Sequence, residues 1–275
     1  MFAPEELKRE IERIRRENGF EVVPFVIEDV IYDESEGRLF IIGQDRADKS
    51  AIIGNSFVIG KLKEKLGVKQ ITVYSNLDLL LRKRELEKNM NLIEGTFLEF
   101  LIPLLKAELN YPPMRWPEIK NNGKALVFLS VYADALVGFA RAFGLEPLKV
   151  GIRHSFPHLE YEPIEGTPRE IFFPDEEKLL GIAEERDLRI IIADFSFGVK
   201  FAGDMALINP MRLLQIPHFR IKHIFGFRFP AYTHLDKRAA LDFFLKLAND
   251  NLLEPTDGAN LIWKAWKKGK GKVGI

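Results

Sequence analysis

The sequence predicts an α/β protein: a parallel sheet wrapped by helices, preceded by a smaller α+β domain. Three observations carry this expectation. Residues 125–152 read as apolar run, loop, amphipathic helix and second apolar run; residues 21–32 and 38–43 are β-rich runs around the turn composition DESEG; and a stretch with three prolines, 110–123, separates the two halves. Parallel neighbours need a crossover of about a dozen residues or more, and the helix carrying Leu136, Val137, Phe139, Ala140 and Phe143 on one face supplies it.

Taken in order, residues 4–18 place Leu7, Ile11 and Ile14 on one face and stop at Gly19, which predicts a short amphipathic helix. A hairpin over 21–32 and 38–43 follows, then a helix from Ser56 to Leu66 ended by Gly67, then a strand over Val68–Tyr74. Asn76 is placed to cap a further helix, LDLLLRKRELEKN, whose Arg82, Lys83 and Arg84 read as a solvated face. A Leu-rich helix spans Phe97–Leu109, and the linker delivers the chain to the strand Ala125–Leu129. Gly144 closes the helix after Ser130, and a strand runs over Leu148–Ile152. Residues 153–174 show little periodicity and predict loop with one short strand; Asp175–Arg186 is a helix, and 188–195, LRIIIADF, is a fully buried strand. The expected organisation is an N-terminal helix over 1–20, an α+β domain over 21–95, a bridging helix and linker over 96–122, and an α/β domain over 123–275.

Composition narrows the chemistry. At 275 residues and 47% hydrophobic, the chain is long enough for two domains with a substantial core. Forty basic and forty acidic residues balance to zero, which argues against a protein that coats nucleic acid, though not against a local basic face. The absence of cysteine excludes disulfides, cysteine nucleophiles, cysteine zinc sites and iron–sulfur clusters. Three glutamines among abundant Lys, Glu, Arg and Ile point to a thermophilic source. The charged first helix and the lack of a membrane-length apolar run predict a cytoplasmic protein.

The loop after Leu129 reads Ser130, Val131, Tyr132, Ala133, Asp134, Ala135. The stretch resembles the nucleotide loop of the PP-loop ATP pyrophosphatase superfamily, the adenine nucleotide alpha hydrolase-like (HUP-type) proteins, whose pattern is SGGxDS between the first strand and first helix. Ser130 and Asp134 match; both glycines and the last serine do not. The resemblance implies an archaeal member that binds ATP or AMP with magnesium at Ser130, Tyr132 and Asp134, with Ile152 and Asp194 at the ends of later strands. Glycines in such a loop let backbone N–H groups approach a pyrophosphate, which β-branched Val131 and bulky Tyr132 oppose. Pyrophosphate binding is therefore expected to be weakened or lost, with AMP or adenosine still able to lie on the strand ends. An ordinary βαβ unit without a ligand is the alternative.

Residues 40–73 carry a second resemblance, to a KH-type RNA-binding domain, in which a strand leads through a GxxG loop into a helix and another strand. The loop here is Gly54, Asn55, Ser56, Phe57, with its second glycine replaced. The resemblance implies RNA contact at Gly54, Asn55, Lys61 and Lys63, with Lys49 and Lys65 adding charge. A small domain that only packs on its neighbour is the other reading.

Three further patterns were weighed. Phe219, Phe225, Phe227, Phe229 and Tyr232 alternate with Arg220, Lys222, His223 and Arg228, which fits a half-buried strand, a nucleic-acid face or a protein interface. His154 and His158 stand four apart with Glu160 and Glu162 nearby, a metal-like spacing interrupted by Pro157. The basic tail from Lys264 is expected to be a mobile end with Trp263 and Trp266 packed back onto the body. Function is left between two readings and a bland third. The first is a degenerate nucleotide- or RNA-binding factor linked to tRNA metabolism, with RNA or a protein as partner; the second is a working ATP-dependent adenylating enzyme; the third is an oligomeric structural protein.

Overall fold

The apolar pattern of the first 85 residues closes into its own core, and that of the remainder into a second, so the chain divides into two compact units that meet between Glu85 and Leu86. The computed structural model describes residues 3–34, 37–54, 56–110, 115–230 and 236–270.

In the first unit, α1 (Pro4–Glu17) lays Leu7, Ile11 and Ile14 onto a three-stranded sheet. β1 (Ile27–Asp33) pairs antiparallel with β2 (Arg38–Gly43), and β2 pairs parallel with β3 (Gln70–Ser75). The parallel step is made by α2 (Arg46–Ile53) and α3 (Ser56–Leu66), turned against each other at Gly54. The expected first strand from residue 21 starts instead at Ile27, because Pro24 offers no N–H to a ladder and restricts Val23. Helix α2 was missed, although its signal is local: Asp45 and Asp48 form a reciprocal capping box, with Asp48 N donating to Asp45 Oδ1 at 2.9 Å. α4 (Asn76–Ile93) is capped one residue earlier than expected, since the Asp78 N–H donates to Ser75 Oγ at 3.1 Å. Against the opposing push of burial, Lys49 and then Arg46 hold the Asp78 carboxyl below its ordinary range.

The second unit opens with the end of α4, a short 3-10 turn and α5 (Ile102–Leu109). Its sheet contains β4 (Lys124–Leu129), β5 (Glu146–Ile152), β6 (Glu162–Ile164), β7 (Ile190–Ile192), β8 (Val199–Ala202) and β9 (Met205–Ile208), in the spatial order β6-β5-β4-β7-β9-β8. All pairs are parallel except β8 with β9. Numbering the five parallel strands along the chain gives the order 3-2-1-4-5, that of a doubly wound sheet with its switch point at the end of β4. α6 (Ala133–Ala142) crosses from β4 to β5 and α7 (Glu176–Glu185) leads into β7. Ala125 to Leu129 are all buried, as a central parallel strand covered on both faces requires.

Four expectations are corrected here. The strand read over 188–195 shortens to Ile190–Ile192, because β4 and β9 pair with it only there. The β8–β9 hairpin, turned at Gly203 with φ +63°, was not foreseen. The alternating segment 219–230 is no strand: α9 (His218–Ile224) takes its first half, and Phe225, Phe227 and Phe229 then pack half-buried on the core without a ladder partner. Tyr232 lies outside the described residues. After α8 (Pro210–Leu213) and α9 come α10 (Lys237–Asn249) and α11 (Pro255–Lys270). The tail expected to be mobile is therefore helical to Lys270, and its two tryptophans point outward rather than back.

Candidate functional site at the switch point

In an open parallel sheet the loops at the carboxyl ends diverge at the switch point, leaving room for a ligand. Here that place lies between the loop after β4, which carries Ser130 and Tyr132, and the loop after β7, which carries Asp194. The structure brings these three residues together. Ser130 Oγ donates to Asp194 Oδ2 at 2.6 Å, and the Tyr132 N–H donates to the same oxygen at 3.1 Å.

Two more N–H groups of the loop are spent inside the protein. Val131 N donates to the Ile171 carbonyl and Ala133 N to the Ser130 carbonyl, both at 3.1 Å. Asp194 thus supplies, from 62 residues away, the negative group that the start of α6 attracts. Its other oxygen, Oδ1, is buried with no hydrogen-bond partner. Burial pushes the Asp194 carboxyl up to about 6, against the pull of Ser130, the Tyr132 N–H, Arg212 and the Val131 N–H.

The Tyr132 side chain fills the space above. It is 2% exposed, with Phe227 at 5.2 Å, His218 at 5.6 Å and Phe243 at 6.2 Å between ring centroids. Its hydroxyl meets His218 Nδ1 at 2.7 Å. Burial, then Asp194 and Asp257, push the phenol well above its ordinary range. Burial, then Lys222 and Lys264, pull His218 down to about 4. Both groups are neutral at pH 7, so the phenol donates and the Nδ1 lone pair accepts. The pair stores no proton for catalysis near neutrality.

Asp134 points elsewhere. On the first turn of α6, it takes both oxygens to His158 Nε2, at 3.2 and 3.1 Å. Ile152 is buried, and its carbonyl accepts from Tyr161 Oη at 3.0 Å and from Ser155 N at 3.1 Å. The His154–His158 spacing does not make a metal site: His154 turns at φ +63°, and Glu162 is held by Arg186 at 2.5 Å. Among the described residues there is no cluster of three or more His, Asp or Glu side chains able to hold a metal ion. Nor, among them, is any helix long and apolar enough to cross a membrane.

In the first unit, Gly54 ends α2 in the left-handed region at φ +57°, exposed, with its N–H on the Ser50 carbonyl at 2.8 Å. Asn55 lies outside the described residues. Lys61 and Lys63 are exposed on α3, but the expected positive face is partly offset: Lys61 pairs with Glu64, Lys65 with Glu10 and Lys49 with Asp78.

Comparison with known proteins gives no match to a family model, a curated protein or a solved structure. The reading of the site therefore rests on its own chemistry. The sequence offers five histidines, His218 among them, as the remaining catalytic candidates, but that His218 reaches Tyr132 from 86 residues away has no local pattern. Sequence reasoning missed the Asp134–His158 pair, for which the signal was only a histidine near the strand ends.

Proposed function

We propose that this protein is a cytoplasmic RNA-binding factor built from a KH-like unit and a PP-loop-like (HUP-type) sheet that no longer performs ATP pyrophosphatase chemistry. The resemblance puts its work in tRNA metabolism. One observation carries the reading: the Ser130 hydroxyl and the Tyr132 N–H, which a PP-loop would turn toward a pyrophosphate, are already held by the protein's own Asp194, under a buried Tyr132 ring. A ligand phosphate would have to displace a carboxylate and an aromatic ring, then leave that carboxylate buried beside it.

Support for the two halves comes from topology. The 3-2-1-4-5 order of the parallel strands belongs to doubly wound nucleotide-binding sheets, which favours a nucleotide-binding ancestry. In the first unit, a helix–Gly54–helix turn joins the parallel strands β2 and β3, the place where the KH resemblance expects its loop.

The test is calorimetric titration with ATP and with AMP, each with magnesium, on the wild type and on Asp134→Ala. The expected result is no preference for ATP over AMP. ATP bound more tightly than AMP, with the preference lost in Asp134→Ala, would restore the phosphate cradle and the adenylating-enzyme reading.

A further inference from the structure

Helix α11 breaks the usual rule for large aromatic side chains. Leu261 and Ala265 turn inward and are buried, and Ile262 packs half-buried on the large core. Trp263 and Trp266, one helical turn apart, stand 58% and 42% exposed. Lys264 and Lys267 are exposed beside them, with Lys267 Nζ 5.5 Å from the centre of a Trp263 ring. From Gly258 to the end the sequence has five lysines and no acidic residue, within a chain of zero net charge. Two large aromatic rings left in water one turn apart form an exposed aromatic patch beside basic side chains.

The composition of the face selects that occupant. A helix lying on a lipid surface presents a continuous apolar face of Trp, Phe and Leu; here Leu261, Ala265 and Ile262 are used on the core, and only two indoles are left outside. What remains outside is aromatic rings interleaved with lysines, the pairing that stacks bases and neutralises a phosphate backbone. The position agrees. After burial, the charges of Lys222 and Lys264 also disfavour a charged His218, so the helix carrying this face acts on the Tyr132–His218 pair.

We infer that the α11 face of Trp263, Lys264, Trp266 and Lys267 is a docking surface for single-stranded RNA, its indoles stacking on bases and its lysines facing phosphates. This rests on the RNA-binding half of the proposed function and gives it a location that neither resemblance supplies.

The experiment uses the full chain, a fluorescein-labelled oligouridylate and, in parallel, vesicles of phosphatidylglycerol and phosphatidylcholine. Anisotropy titrations compare the wild type with Trp263→Ala/Trp266→Ala and with Lys264→Glu/Lys267→Glu; both pairs are exposed, and unchanged unfolding midpoints verify the fold. The tryptophan variant is expected to weaken RNA binding by about 30-fold or more, since each stacked base is worth ~1–3 kcal/mol. The lysine variant is expected to lower the slope of log K against log salt by about 1.4, roughly 0.7 for each single-strand phosphate released. Wild type that binds RNA as tightly as both variants overturns the α11 site and leaves RNA binding elsewhere on the protein. Wild type that binds no RNA overturns the RNA-binding reading itself, and tryptophan-dependent binding to the vesicles would then reassign the face to lipid.

Discussion

Two loops in this chain sit in opposite surroundings, one inside a core and one at the surface, and the difference decides what their side chains do. The loop at Ser130 has closed: Val131 and Tyr132 are buried, and a carboxylate from β7's end sits on its donors. The turn at Gly54 has stayed at the surface: its glycine keeps a left-handed φ of +57°, braced by Arg15, which donates to the carbonyls of Ala51 and Glu21. Side chains at such positions inside a core fill the space, and neighbours take the donors. At the surface turn a ring is exposed instead, that of Phe57, with Lys61 over it at 5.8 Å.

The contrast can be attacked first at Asp194. Asp194→Ala should destabilise by about 3 kcal/mol, because the Ser130 hydroxyl and the Tyr132 N–H are left buried without an acceptor; urea unfolding reads this directly. Asp194→Asn separates charge from shape. In the wild type the folded state holds the Asp194 proton more tightly than the unfolded chain, so this stabilisation is present below pH 4 and lost as pH rises through about 6. Relative to wild type the asparagine variant should gain about 3 kcal/mol across that window, and a flat difference would mean that Asp194 is not desolvated. His218 runs the other way: with its folded value near 4, it contributes above pH 6.5 and is lost on acidification, so the two titrations oppose each other in the wild type.

At the surface loop the effects shrink. Gly54→Ala should cost about 1–2 kcal/mol, from the positive φ and from a methyl group pushed against the Arg15 guanidinium. Thermal melts that show no loss would remove Gly54 as a conformational requirement. Smallest is Lys61→Ala, expected within about 0.5 kcal/mol, because its pair with Glu64 is solvent-exposed and one turn long. A larger loss there would show that the Gly54 side is held as firmly as the Ser130 side.

Much of the architecture was legible because it depends on short-range pattern. The helix over 133–142, its Gly144 stop and the flanking apolar runs announce a βαβ unit wherever they occur. Val131 and Tyr132 likewise marked a loop whose side chains take up space, and both are buried. What filled the loop was not legible, since the Asp194 and His218 partners come from distant strand and helix ends. The aromatic run after Phe219 misled for a related reason: period-two alternation reports which side chains face a core, and an extended segment with no ladder partner shows it as well as a strand does. Trp263 and Trp266 misled because hydrophobicity was read as burial, whereas their helix buries Leu261 and Ala265 instead.

The segment from Phe225 to Phe229 rests on Phe139 and Tyr132, with Phe225 laid across the bare backbone of Gly138 on α6; a methyl group there would overlap its ring. The roof over the closed loop is thus fastened by a missing side chain. A single base change that converts this glycine to any other residue unseats Phe225, and with it Phe227 above Tyr132. The cover over Tyr132 thus depends on a position that carries no side chain, well away from the hydrogen bonds among Ser130, Tyr132 and Asp194.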